Sequence, residues 1–144
     1  MDTEKPVATN ERLTAKYEAL LKAAGFELIH VWEGVIMFKL ISYAYSLNFQ
    51  PDLPEYLSFG LGAAIDPSKN KETSARYELA QFINSSYRYV KCHFETDSDG
   101  DDSIQFACDL MFVNESDFIR CAHTAVKTLD NAYISASAKF PDVV

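Results

Sequence analysis

Residues 26 to 65 read as strand after strand, with no helical period between them. FELIHVWE, VIMFKLIS, YSLNF and EYLSFGLGAAI are rich in β-branched and aromatic residues, which fit the pleated, half-buried surface of a sheet. Glu33-Gly34 and Pro51-Asp52-Leu53-Pro54 offer the breaks between them. The stretch from Val35 to Ile41 is apolar on both alternating faces: Val35, Met37 and Ile41 on one, Ile36, Phe38 and Leu40 on the other. Such a strand calls for cover on both sides. With helices on one side, a second subunit can supply the other. Tyr43, Tyr45, Leu47 and Phe49 read onto the same face as Val35 and Met37. That face fits two occupants: the chain's own helices, or a partner met by amphipathic aromatics. Under the second reading, Val35, Met37, Tyr43 and Tyr45 form a partner or dimer surface.

Three helical segments surround the strands. Between Glu11 and Ala24, Leu13, Tyr17, Leu20 and Ala24 fall on one face, Gly25 terminates the run, and Thr9 or Asn10 can cap it. Residues 1–9 are polar and are expected to be a flexible N-terminus, leaving 10–144 as a single domain. Pro67 to Lys71 is a polar connector with capping candidates in Ser68 and Asn70. It opens a second helix, striped by Ala75, Leu79, Phe82 and Ile83 and ending near Ser85. In the last helix Asn114 is the expected cap, Asp117 sits at the third helical position, and Val113 and Phe118 are placed as a hydrophobic staple. Phe118, Ile119, Ala122, Ala125, Val126, Leu129, Ala132, Tyr133, Ala136 and Phe140 then share a single arc. The order is α, three to four strands, α, two strands, α. It predicts an α+β fold, an antiparallel sheet with helices packed on one face.

The two later strands enclose FETDSDGDDSIQF, which resembles a chemical motif. A calcium loop of the EF-hand kind needs oxygen ligands at positions 1, 3, 5 and 12 with glycine at 6. Placing Gly100 at the glycine position aligns Glu95, Asp97 and Asp99 with the first three ligands, but the last falls on Phe106, which has no carboxylate. The flanks also alternate with period two. Val90, Cys92 and Phe94 oppose Lys91, His93 and Glu95, and Ile104, Phe106, Cys108, Leu110 and Phe112 alternate with Gln105, Ala107 and Asp109. The stretch therefore reads as a hairpin turn in which Asp and Gly supply the backbone conformations. The expected register sets Phe94 against Phe106, Cys92 against Cys108 and Lys91 against Asp109.

Other chemistry finds little footing. His30, His93 and His123 lie apart, and Cys121 with His123 makes only C-x-H, so no metal site is expected. Gly60 and Gly62 open no helix, as a phosphate loop requires, and are expected where a helix or another backbone comes close. There is no G-x-S-x-G elbow, so no catalytic residue and no cofactor is assigned. A net charge of −8 opposes nucleic acid and anionic membrane. No apolar run is long enough to span a bilayer, and MDTEKPVATNERLT has no apolar signal core. Three cysteines without a C-x-x-C pair fit a reduced, cytoplasmic setting.

Several local phrases resemble the YbjN-like family of proposed bacterial sensory transduction regulators. These are Gly25-Phe26 after the first helix, SLNFQPDLPEYLSF, a second helix ending near Asn84, and RYVKCHFETDSDGDDSIQFACDL with Asp97, Asp99 and Gly100 in a D-x-D-G turn. Asp52-Leu53-Pro54 departs from the direct Asp-Pro of that family's turn. The family is similar in architecture to type III secretion chaperones, which are small, acidic, dimeric α+β proteins. The resemblance implies a non-enzymatic protein-binding regulator or chaperone-like adaptor, acting as a homodimer that holds a partner's segment. The rival expectation is a small-molecule- or metal-binding sensor domain.

Overall fold

The computed structural model describes residues 5–41, 43–111 and 114–144. Helix α1 (Lys5–Ala23) leads into strands β1 (Glu27–Trp32), β2 (Val35–Leu40), β3 (Tyr43–Gln50) and β4 (Leu53–Ala64). Helix α2 (Thr73–Ser86), strands β5 (Val90–Thr96) and β6 (Asp102–Met111), and helix α3 (Phe118–Lys139) complete the chain. The strands form one six-stranded sheet in the order β1-β2-β3-β4-β6-β5. The pairs β1–β2, β2–β3 and β5–β6 are antiparallel. The α+β antiparallel architecture is the one the sequence predicts.

The chain divides into two compact units. The first comprises Met1–Phe59 and Asp109–Val126. Its core is aromatic: Tyr17 lies 5.0 Å from Phe49 and 5.6 Å from Phe118, and Phe38 packs on Phe26, Tyr45 and Phe59. Tyr17 is fully buried, and its hydroxyl donates to the Pro54 carbonyl at 2.7 Å, so the one polar atom of that ring is satisfied. The inward stripe of α1 is Leu13, Tyr17, Leu21 and Ala24, with Leu20 only half-buried. The helix begins at Lys5, ahead of the expected start. Pro6 is tolerated there because the first turn has no intrahelical N–H bond to lose. Of the expected flexible residues 1–9, those from 5 onward are thus helical, and 1–4 lie outside the described residues. At the other end the Phe26 N–H bonds the Leu21 carbonyl at 3.1 Å, and His123 Nε2 donates to the Ala24 carbonyl at 2.7 Å. His123 is therefore an α1 cap as well as a member of α3.

The first unit corrects one face assignment. Ile36 stands opposite Leu47, and Phe38 opposite Tyr45. Tyr45, Leu47 and Phe49 thus share the core face with Ile36 and Phe38, not with Val35 and Met37. The cause is the β2–β3 register, which sets Leu40 opposite Tyr43 and so exchanges odd for even positions between the strands. Ile41 leaves the strand altogether and is 91% exposed.

The second unit comprises Gly60–Cys108 and Lys127–Val144. Leu61, Ile65, Val90, Cys92, Ile104, Phe106 and Cys108 turn inward, as do Leu79 and Ile83 of α2 and Leu129, Ala132 and Ala136 of α3. The Asn70 side chain accepts from the Glu72 N–H at 2.9 Å in the approach to α2. At the start of α3 the Asn114 side chain bonds the Ser116 hydroxyl and makes no side-chain cap bond, because a short 3₁₀ turn, Glu115–Asp117, precedes the α-helix. Val113, the other half of the expected staple, lies outside the described residues.

The hairpin register differs from expectation by two residues. Phe94 opposes Ile104, Cys92 opposes Phe106, and Lys91 opposes Ala107. The turn decides this. Asp97 Oδ1 accepts the N–H groups of Asp99 and Asp101, both at 2.9 Å, and the Asp97 N–H meets the Asp101 carbonyl at 3.0 Å. Gly100, at φ +85°, provides the left-handed residue that closes the loop. The flanks are strands, and the acidic loop is a turn.

Candidate protein-docking surface

The outward face of the first unit is built by register. Trp32 pairs with Val35, which pairs with Asn48, and His30 pairs with Met37, which pairs with Ser46. Each pair shares a face, and it is the face opposite the buried Ile36 and Phe38. Beside β1 this face is apolar: Trp32 is 53% exposed, its ring stacks at 5.1 Å on His30, and Val35 and Met37 are half-buried beside them. Toward β3 it turns polar at Ser46 and Asn48, whose side chains bond each other. At the far end Lys39 pairs with Glu27 at 3.6 Å.

The four residues expected to form a partner surface thus separate. Val35 and Met37 lie together on the outward face. Tyr43 is exposed near the β2–β3 turn. Tyr45 is 1% exposed and belongs to the core. His30 and Trp32 were missed by the sequence reading. FELIHVWE is apolar in both parities, but nothing in it marks β1 as the edge of a sheet.

β1 is that edge. A bulge at Leu28–His30 interrupts its pairing with β2, and Ile29 and Val31 are each about two-fifths exposed. The β1–β2 connection is the two-residue Glu33-Gly34 turn. Gly34 has φ +78°, and a Cβ there would stand 3.3 Å from the Phe49 carbonyl oxygen, so a side chain would press on β3. Between α1 and the end of β1 runs a groove of about 370 Å³, lined by Glu11, Thr14, Ala15, Glu18, Val31, Trp32 and Glu33.

Several polar groups elsewhere are held within the fold. Tyr56 hydrogen-bonds Asp109, which raises the tyrosine above its ordinary pKa, chiefly because the carboxylate stabilises the protonated hydroxyl. Asp109 thus meets Tyr56, and the residue directly opposite Lys91 is Ala107, not Asp109 as expected. Asp102 accepts from Thr96 at 2.6 Å and from Arg76 at 2.7 Å, which hold its carboxyl below the usual range. The Arg76 guanidinium also lies 5.1 Å from the centre of the Phe94 ring. Beside Gly62 the close neighbour is the Gln105 side chain, 2.7 Å from where a Cβ would be, and not the helix or backbone expected there. Among the described residues no group of three His, Cys, Asp or Glu side chains is placed to hold a metal ion.

The fold has solved counterparts. YbjN of E. coli, described as a proposed transcription regulator, superposes with a TM-score of 0.65 at 15% sequence identity, covering 87% of this chain and 91% of that one. The chain has the YbjN-like fold. An uncharacterized protein from Methanothermobacter thermautotrophicus superposes with a TM-score of 0.58 at 10% identity, covering 89% of this chain and 99% of that one. No protein-family model and no curated protein matches the chain. At these identities YbjN supplies a fold and not an activity, and neither neighbour is described as an enzyme. Among the described residues no helix is long and apolar enough to cross a membrane.

Proposed function

We propose that this chain is a non-enzymatic, protein-binding regulator or chaperone-like adaptor of the YbjN kind. In this reading it is a cytoplasmic bacterial protein of one α+β domain that works as a homodimer and holds a segment of a partner protein. The carrying observation is the apolar strip on the outward face of β1 and β2, where Trp32, Val35 and Met37 lie side by side opposite the buried Ile36 and Phe38. Apolar side chains gathered on an open sheet face mark an interaction surface. The regulatory description of YbjN supports the same reading. The charge of −8 favours protein partners over nucleic acid.

Gel filtration with light scattering tests the dimer. The expected result is a dimer at micromolar concentration that Val35→Lys with Met37→Lys converts to a folded monomer. A wild-type monomer under the same conditions overturns the dimer. A thermal-shift screen with calcium, zinc and common metabolites tests the binding class. Large saturable stabilisation by one of them overturns the protein-binding reading in favour of a sensor, because a ligand of the folded state raises its melting point.

A further inference from the structure

The two edges of the sheet are defended very differently. On β5 the exposed side carries Lys91, His93 and Glu95. The side chain of Asn84 on α2 also occupies the backbone of Cys92, accepting its N–H at 2.7 Å and donating to its carbonyl at 3.4 Å. Charge and a covering helix are how proteins close a strand edge to strangers. On β1 neither device is present along Ile29, Val31 and Trp32, which are 41%, 40% and 53% exposed. The bulge at Leu28–His30 divides the strand into the pair Glu27–Leu28 and the regular run from His30 to Trp32, and that run lies beside the groove against α1.

We infer that the β1 edge, from His30 to Trp32, is the dock for an extended partner segment in which basic and apolar residues alternate. The inference rests on the proposed protein-binding role and names its surface and the partner's chemistry. A strand added at β1 sends successive side chains to opposite faces. On the α1 side they enter the groove rimmed by the carboxylates of Glu11, Glu18 and Glu33 over Val31 and Ala15. Lysine or arginine suits that side, its aliphatic stem on the apolar floor and its charge at the rim. On the other side they meet the stacked His30 and Trp32 rings, the tryptophan also bordering the groove, and these rings suit aliphatic residues. Charge also excludes a second copy from this edge. Each chain would bring its own Glu11, Glu18 and Glu33 to the joint, on molecules already at −8.

Trp32 is the only tryptophan in the chain, so its emission reports directly on this edge. The experiment titrates the protein with the capped peptide KVKVKV, with EVEVEV and with the block peptide KKKVVV. KVKVKV is expected to give a saturable blue shift of Trp32 emission, and the other two far weaker responses. Glu11→Lys with Glu18→Lys, checked for folding by circular dichroism, is expected to weaken KVKVKV binding about tenfold. Equal binding of KVKVKV and EVEVEV, no saturation by KVKVKV up to about 1 mM, or an unchanged affinity in the double variant overturns the inference. So does a Trp32 shift that follows protein concentration alone and leaves no further response to KVKVKV, since that assigns the edge to a second copy. The light-scattering test of Val35→Lys with Met37→Lys reads dimer formation, whereas the titration reads peptide binding, so loss of this dock and loss of the proposed function remain distinguishable.

Discussion

Tyr45 stacks on Phe38 with ring centres 5.7 Å apart, and the two are direct partners across β2 and β3. Both are essentially solvent-free. Tyr43, two residues earlier on β3, is 51% exposed. Truncation should separate them sharply. Tyr45→Ala removes a core ring and is expected to cost about 3–5 kcal/mol. Tyr43→Ala should cost about 1 kcal/mol or less. Urea unfolding followed by circular dichroism measures both. Similar costs for the two would return Tyr45 to the surface.

The same pair shows how far the sequence could be read. Alternation within one strand is written in the residues, and the inward sets of β2, β3, β5 and β6 were each legible as sets. Relations between strands were not. The pairing of Leu40 with Tyr43 exchanged the faces of β2 and β3, and the Asp97 loop moved the β5–β6 register by two residues. A shift of two keeps every side chain on its face, so hydrophobic pattern alone cannot detect it. Hydrogen bonds from Asp99 and Asp101 to Asp97 made that choice. The candidate surface was half legible for the same reason. Val35 and Met37 could be read from the doubly apolar β2, whereas His30 and Trp32 depend on β1 being an edge, a property of the whole sheet.

Ile41 pays a local cost at its turn. It has φ +61°, and it is the only non-glycine residue in the left-handed region among the described residues. A β-branched side chain there is held against the sterics of its own backbone, at a cost of about 1–2 kcal/mol. Because the side chain is 91% exposed, no burial offsets it. Ile41→Gly is expected to stabilise the protein by about 0.5–1 kcal/mol, the relief of strain less the entropy of the added glycine. A rise in the urea midpoint at unchanged slope confirms this, and a fall would mean that Ile41 makes a contact worth more than its strain.

Acid should weaken the second unit through Asp102. Hydrogen bonds from Thr96 and Arg76, with the Arg76 charge, hold this carboxyl below its ordinary range, outweighing the opposing effect of desolvation. The native state therefore binds this proton less readily than the unfolded chain. The stabilisation is complete above the unfolded carboxylate pKa and is lost as pH falls through the lowered native one. Asp102→Asn removes this dependence. The stability gap between wild type and Asp102→Asn should be widest near pH 7 and shrink steadily below about pH 4. Melting curves across that range measure it, and a gap that widens on acidification would reverse the assignment.

Thiol chemistry tests the guarded edge at β5. Burial pushes the Cys92 thiol up to about 12, leaving about one part in ten thousand as thiolate at pH 8. Its backbone is held by Asn84, so labelling requires both opening of the strand and loss of a proton. Cys108 is 2% exposed, whereas Cys121 is half-exposed on α3. Iodoacetamide at pH 8 should therefore modify Cys121 first and reach Cys92 and Cys108 only on the timescale of unfolding, as peptide mass spectrometry would resolve. Asn84→Ala should speed labelling of Cys92 more than that of Cys108, because it frees the outer side of β5 while leaving the β5–β6 pairing in place. Equal acceleration of the two would mean that the hairpin opens as one unit and that Asn84 does not guard this edge.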